Sequence, residues 1–216
     1  MDSESAEGRQ GIVVGLAAEA RIARRLRWRV TIGGGTATGA QAAVQRLVDD
    51  GCDALVSFGL AGGLDPALRP GALIVPSVVI VNGTHHSTDP HLSRRLGGAT
   101  AHAVLGVDAI VTSVEEKHWL RDSTSAAAAD VESGAVARIG MPFAVLRAIC
   151  DPAERSLPPA ALAALDAHGA IGIWRVLASL AAQPGQLSAL LALAADAAAA
   201  RRALVARVRQ IARGQA

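Results

Sequence analysis

The segment from Ala129 to Asp151, ADVESGAVARIGMPFAVLRAICD, most constrains the fold, because it places a carboxylate after each of two apolar strands. We predict a buried strand before Asp130, a short helix, and a second buried strand that ends near Cys150. Nearly continuous apolar runs are typical of strands in parallel sheets, and ligands collect beyond the carboxyl ends of such strands. Glu132 and Asp151 should therefore open toward one edge of the sheet, where both are candidate site residues.

Composition favours a single cytoplasmic α/β domain. The chain has 216 residues, and its aromatic content of only 2% argues against modules that stack on nucleic-acid bases. Cys52 and Cys150 are too few for a disulfide framework, and the polar start MDSESAEGRQ is unlike a secretory signal. Nucleic-acid binding is therefore not expected.

Alternating strand and helix signals predict a central, mixed, mostly parallel sheet flanked by helices over residues 11–216, after a flexible tail over 1–10. From about residue 158 the chain becomes Ala/Leu-rich and should form C-terminal helices, broken near 169–172 and 183–185. The predicted strands are 11–16, one ending near 32, 54–58, one or two within 71–81, and 104–112. Helices are expected over 38–48 and 115–121.

A polar segment carries His85, His86 and His91, which invites a metal interpretation. No cysteine or suitably spaced carboxylate completes a ligand set around them, so we expect a surface loop and no metal site. The residues Gly59 to Pro66, which follow a predicted strand, are expected to form a small-residue turn.

A glycine loop at Gly33, Gly34 and Gly35 precedes a predicted helix. The backbone amides of such a loop can bind an anion such as phosphate, and a purely structural tight turn explains the glycines equally well. Arg21 and Lys117 are possible phosphate ligands, although an isolated basic side chain is usually only solvated.

Each candidate acid also has an ordinary structural explanation. Glu19 could cap a helix, Asp151 could initiate an Asp-Pro turn, and Glu132 lies where a helix dipole favours any carboxylate. The C-terminal helix likewise has two interpretations. Its arginines could be solvated while its leucines pack on the sheet, or it could contact an anionic membrane surface at the periphery.

Three ordered motifs resemble the nucleoside phosphorylase and nucleosidase superfamily: GLAAE at 15–19, SFGLAGGLDPALRPGALIVP at 57–76, and ADVESGAVA followed by LRAICDPA. Within it, the chain is most similar to the hopanoid-associated phosphorylases, through TDP at 88–90, GVD at 106–108, the Lys117 segment, DPAERSLPPAAL at 151–162 and the tail PGQLSALLALAADAAAA. The similarity covers nearly the whole chain after Gln10.

The resemblance implies cleavage of the N-glycosidic bond of a purine nucleoside. Asp151 would protonate or hydrogen-bond the departing base, Glu132 would bind the ribose hydroxyls, and Glu19 would lie by the nucleophile. The remaining implied positions, beside base, sugar or phosphate, are Val131 (where the family usually has Met), Ala61, Gly62 and the loop at Gly33 to Gly35.

The specific reaction implied is phosphorolysis of adenosylhopane to adenine and phosphoribosylhopane, with inorganic phosphate as co-substrate and no cofactor. A hydrolytic nucleosidase of the methylthioadenosine/S-adenosylhomocysteine type is the main alternative, and a non-catalytic nucleotide-binding or membrane-associated module is a second. The resemblance also implies a homo-oligomer. The connection from Glu19 to Gly33 is shorter than the strand-rich connection in related nucleosidases, and the helix after Glu132 is also expected to be short. Both features suggest a pocket that is open on one side.

Overall fold

The computed structural model describes residues 9–158, 161 and 184–214, which form a nine-stranded mixed sheet flanked by helices. The expected fold class is confirmed. The strands are β1 (Gln10–Val14), β2 (Arg29–Ile32), β3 (Ala54–Gly63), β4 (Leu73–Ile74), β5 (Pro76–Val81), β6 (Thr84–Ser87), β7 (Thr100–Gly106), β8 (Ala128–Asp130) and β9 (Phe143–Asp151). The described α-helices are α1 (Ala17–Ala23), α2 (Ala37–Asp49), α3 (Pro90–Arg95), α4 (Val114–Thr124), α5 (Glu132–Arg138) and α6 (Leu187–Gly214).

The two strands and the short helix predicted between Ala129 and Asp151 are present as β8, α5 and β9. The helix predicted over 38–48 is α2, which begins where the Thr36 side chain accepts a hydrogen bond from the Gly39 amide. Gly51 follows its end with a φ of +77°, a conformation that glycine adopts without strain.

The sheet changes direction along one edge of β3. Its first half pairs in parallel with β1, and its last two residues pair antiparallel with β8. Along the opposite edge, β9 runs parallel to β3 for nearly its whole length. Strands β1 and β8 therefore approach each other end to end on β3. The expectation that Glu132 and Asp151 follow two parallel strands is wrong, because β8 runs antiparallel to β3 whereas β9 runs parallel to it.

Apolar residues cover both faces of the sheet. Along β1, Ile12 and Val14 belong to the cluster that contains Leu204 of α6, whereas Val13 belongs to the cluster that contains Leu47 of α2. This alternation is the period-two pattern of a strand buried on both sides. The sheet is thus a middle layer between helices.

The predicted polar loop with three histidines is wrong. His85 and His86 lie in β6, which forms a hairpin with β5, and His91 lies in α3. The turn between the strands is Asn82-Gly83, and both residues have positive φ, as a tight two-residue hairpin requires. Within the described part of the chain, no group of three or more His, Cys, Asp or Glu side chains is placed to hold a metal ion.

Two predicted boundaries are also wrong. Strand β3 continues through the predicted turn to Gly63, because β9 remains paired with it as far as Asp151. Strand β7 ends at Gly106 rather than Thr112, because its partner β8 ends at Asp130 where α5 is about to begin. The chain after β7 consequently leaves the sheet.

The C-terminal part of the chain is described from residue 184. A 3-10 turn at Pro184–Gln186 leads into α6, whose second half packs into the core through Ala200, Leu204, Val208 and Ile211. The expected break near 169–172 and most of the tail over 1–10 lie outside the described residues. No helix among the described residues is long and apolar enough to cross a membrane.

Candidate functional site

A gap in strand pairing on β3 creates the site. Beside β3, the last residue of β1 in register is Val13, opposite Ser57, and the first residue of β8 to pair lies opposite Gly62. The Leu60 amide lies within this gap and donates to Glu19 Oε1 at 2.8 Å. A carboxylate from α1 thus occupies the place where a neighbouring strand would continue.

Glu19 is held rigidly in this gap. Its other oxygen, Oε2, accepts hydrogen bonds from the Gly15 amide at 3.0 Å and from the Leu16 amide at 2.8 Å. Burial raises the pKa of the Glu19 carboxyl, and the Arg147 guanidinium and the three amide donors oppose this effect. Gly59 must lack a side chain here, because a Cβ atom would lie 2.5 Å from Glu19 Oε1.

Arg147 is a buried cation of the site. Its side chain is fully enclosed, and Nη2 donates to Asp130 at 2.8 Å, to Glu132 at 3.1 Å and to the Ser57 hydroxyl at 2.6 Å. Nη1 donates to the Leu60 carbonyl at 3.1 Å. Arg147 was not among the predicted site residues, although a charged side chain within the apolar run FAVLRAI is a signal that points to it.

Glu132 begins α5 beside this guanidinium. Burial raises the pKa of Glu132 to about 7, with further contributions from the Asp130 and Glu19 carboxylates, while Arg147 opposes the shift. Gly15 makes room for the side chain, because a Cβ atom there would lie 2.6 Å from Glu132 Oε1. Glu132 therefore changes charge near neutral pH.

Asp151 ends β9 and pairs with Lys117 of α4. The Lys117 ammonium donates to Asp151 Oδ2 at 2.5 Å, and Oδ1 is buried with no hydrogen-bond partner among the described residues. Burial raises the pKa of Asp151, and the bond from Lys117 opposes that effect. From the sequence, Lys117 was expected only as a possible phosphate ligand.

One cavity of about 600 Å³ joins these groups, since Glu19, Glu132 and Asp151 all line it. Asp130, Lys117 and Arg201 are the other charged residues on its described wall. The apolar wall contains leucines and alanines from the first half of α6 together with residues from the chain after β7: Leu187, Leu190, Leu191, Leu193, Ala194, Ala197, Val107, Ile110 and Val111.

Most of the other predicted site residues lie at this cavity. Val131, Ala61, Gly62 and Gly35 line it. Three predicted phosphate contacts are not on its described wall. The Gly33 amide donates to the Val14 carbonyl at 2.7 Å, Gly34 is buried, and the exposed Arg21 lines a separate depression between α1 and α6.

The arrangement suits a reaction in which positive charge develops at one point and negative charge at another. The carboxylates of Glu132 and Glu19 can stabilise a cationic sugar and accept hydrogen bonds from hydroxyls. Asp151 lies apart from them beside its own cation, where it can serve as a general acid.

The raised pKa of Glu132 predicts a pH-dependent stability. The folded protein binds a proton at Glu132 that the unfolded chain releases above about pH 4.5. This contribution is complete below about 4.5 and is lost as the pH rises through about 7. In urea titrations, the unfolding free energy of the wild type minus that of Glu132→Gln should fall by about 3 kcal/mol across this window.

Glu115→Gln, which removes an exposed carboxylate from α4, is the matched control and should show no such fall. A difference between wild type and Glu132→Gln that rises with pH would contradict the environment described for this side chain.

Comparisons with known proteins place part of this chain in a known family model. Residues 20–103 match the family model described as the Phosphorylase superfamily. A search of curated proteins finds no significant match.

Solved structures share this fold over most of the chain. Futalosine hydrolase of Helicobacter pylori has a TM-score of 0.64 at 16% identity, with coverage of 93% of this chain and 97% of that one. The 5′-methylthioadenosine/S-adenosylhomocysteine nucleosidase of the same organism has a TM-score of 0.64 at 16% identity, with coverage of 94% and 100%. That of Colwellia psychrerythraea, solved with adenine, has a TM-score of 0.61 at 18% identity, with coverage of 81% and 96%. The solved structures therefore show that this chain has the nucleoside phosphorylase and nucleosidase fold.

Proposed function

We propose that the protein cleaves the N-glycosidic bond of an adenosine-type nucleoside. The observation that carries the proposal is that Glu19, Glu132 and Asp151 line one cavity. Cleavage of this bond leaves an oxocarbenium-like sugar while negative charge develops on the base. Two buried carboxylates near the sugar and one acid at the base address both charges.

In this proposal Glu132 binds the ribose hydroxyls and Asp151 contacts the base. Arg147 keeps part of the charge on Glu132 by lowering its pKa against the effect of burial. Asp151 retains one oxygen, Oδ1, that no described residue engages and that a base nitrogen could approach. Ala61 and Gly62 leave space beside base and sugar because they lack bulky side chains.

Phosphorolysis is the form of the reaction that we propose. A phosphate oxygen attacks C1′, the C1′–N9 bond breaks, and its electron pair passes to the base. Gly35 lines the cavity just before α2, whose N-terminus favours an anion, and Arg201 adds a cation at the wall.

Hydrolysis is the second candidate, and the contacts of Lys117 favour it. Its ammonium group donates to three oxygens, those of Asp151, Pro152 and Arg155, which leaves none of its protons for phosphate. Glu19 could then activate a water molecule in place of phosphate attack. The structural neighbours named above as nucleosidases and as a hydrolase agree with this alternative.

Adenine release from 5′-methylthioadenosine, measured with and without inorganic phosphate, separates the two forms. Phosphorolysis predicts release that depends on phosphate concentration and yields a sugar phosphate, whereas equal rates in both buffers would identify hydrolysis. Asp151→Asn should lower kcat by about 10²- to 10⁴-fold in either case, because it removes the acid. Asp53→Asn changes an exposed aspartate before β3 and is the control.

We further propose that the substrate carries a bulky apolar 5′ substituent, as adenosylhopane does. The support is the wall formed by α6, where Leu187 and Leu191 remain 52% and 62% exposed although they line the cavity. An apolar group placed there would cover these leucines. In this proposal, the side of the pocket that the sequence predicts to be open is where the substituent leaves the ribose site.

A series of 5′-alkylthioadenosines tests the substituent. Each added methylene that is buried contributes about 0.8 kcal/mol, so kcat/KM should rise by about fourfold per carbon until the wall is covered. Leu191→Gln should flatten this dependence and leave the methylthio substrate nearly unaffected. Trp119→Gln, which changes an exposed side chain on α4, should leave the dependence intact. A flat series in the wild type would contradict the apolar subsite.

A peripheral contact with an anionic membrane surface is proposed for the depression beside the cavity. Four arginines line it, Arg21 from α1 and Arg201, Arg202 and Arg209 from α6, with no acidic residue on its described wall. Arg201 also lines the cavity, so the charged surface adjoins the cavity wall.

Sedimentation with vesicles tests this contact. Binding to vesicles that contain phosphatidylglycerol should exceed binding to neutral vesicles and should weaken with salt. The double variant Arg202→Gln/Arg209→Gln should bind less, and Arg46→Gln/Arg138→Gln, which changes α2 and α5, should bind like wild type. If both double variants lost vesicle binding equally, the binding would depend only on the net charge of the protein, and the proposed contact surface would be wrong.

A further inference from the structure

Lys117 is a completely buried lysine, with 0% of its surface exposed. Its Nζ donates to Asp151 Oδ2 at 2.5 Å, to the Pro152 carbonyl at 2.9 Å and to the Arg155 carbonyl at 2.6 Å. An ammonium group has three protons, and each one has an acceptor. Because burying a charge is costly unless it is paired and hydrogen-bonded, this geometry needs all three acceptors.

The contacts hold the Asp151 carboxyl in one orientation. Lys117 occupies Oδ2, and Oδ1 is left without a partner among the described residues, on a side chain that lines the cavity. The two carbonyl contacts attach the same ammonium to the chain immediately after β9. Lys117 therefore determines where the carboxyl group lies.

The other charged groups around Asp151 act more weakly. Arg155 and Asp196 of α6 are the next contributors to its pKa, with opposite signs, and they pair with each other. Burial raises the pKa of the neighbouring Cys150 thiol to about 12, so it carries no charge at neutral pH. Lys117 is thus the dominant cation acting on Asp151.

We propose that Lys117 is a positioning residue that orients Asp151 toward the base and stabilises the carboxylate that Asp151 becomes when it gives up its proton. The catalytic meaning of this inference rests on the proposed function. As the C1′–N9 bond breaks, its electron pair enters the base, and the proton on Asp151 moves to a ring nitrogen. Asp151 is left as an anion beside the ammonium, and Lys117 neither gains nor loses a proton.

The inference is tested directly by titrating Asp151. Aspartate carboxyl carbons labelled with ¹³C are followed by NMR against pH, and Asp151→Asn assigns the signal. In Lys117→Met the midpoint for Asp151 should move upward by about one unit or more, because burial then acts without the opposing cation. Arg121→Met, which removes another cation of α4 that pairs with Asp65, is the matched control and should not move it.

An unchanged midpoint in Lys117→Met would overturn the proposal. Lys117→Gln, which keeps a hydrogen-bond donor without the charge, should give the same direction of shift. If circular dichroism shows that both variants are unfolded, the role of Lys117 is to stabilise the fold and not to orient Asp151. The proposal is then also overturned.

Kinetics separate this inference from the proposed function. Activity that requires protonated Asp151 falls as the pH rises through its pKa, so the alkaline limb of kcat should move to higher pH in Lys117→Met while the plateau decreases. A purely structural role would lower kcat at every pH without moving the limb. If wild type releases no adenine from any nucleoside tested, the proposed function fails, and the NMR titration still reports on the Lys117–Asp151 pair.

Discussion

The site depends on the buried guanidinium of Arg147 in the middle of the sheet. The side chain of Arg147 in β9 is fully buried and forms ion pairs with the carboxylates of Asp130 and Glu132. Its charge also lowers the pKa of Glu19. Three carboxyls could not share this volume as anions without it. A buried pair of this kind is rarely a source of stability, and removing one partner is usually severe. The role of Arg147 is therefore to make the burial of these three carboxyl groups in one place possible.

The direction change on β3 supplies the space for that cluster. Strands β1 and β8 meet end to end, so the chain after each strand turns into the same gap. Gly15 and Gly59 then admit the carboxyl groups of Glu132 and Glu19, at distances that any side chain would block. The Leu60 amide, which the gap leaves without a strand partner, thereby becomes part of the site.

Residue types along the chain predicted much of this arrangement, and the failures have physical causes. The strands and the helix between Ala129 and Asp151 were predicted correctly because apolar runs that each end in a carboxylate leave few alternatives, whereas the relative direction of the two strands was not. The hairpin at Asn82-Gly83 was not predicted, although that dipeptide is a strong turn signal, because its second strand, Thr84–Ser87, is polar and mostly exposed and so lacks the apolar alternation of a strand.

The partners of the acids could not be predicted in the same way. Arg147 and Lys117 reach Glu132 and Asp151 from other elements, and contacts between distant segments depend on strand register that composition does not encode. The antiparallel pairing of β8 with β3 is a similar case, since a three-residue strand carries little information about its direction.

The two halves of helix α6 have different roles, since one packs in the core and the other lines the cavity. Its second half is anchored in the core by residues such as Leu204 and Val208, while its first half lines the cavity with leucines that do not belong to that core. Substitutions of these leucines can therefore change the size or shape of the cavity without changing the buried core residues or the acids. Related proteins could therefore change their ligand preference through substitutions in the first half of α6 with little loss of stability. Redesign of the site for a different substrate substituent could begin at the same residues.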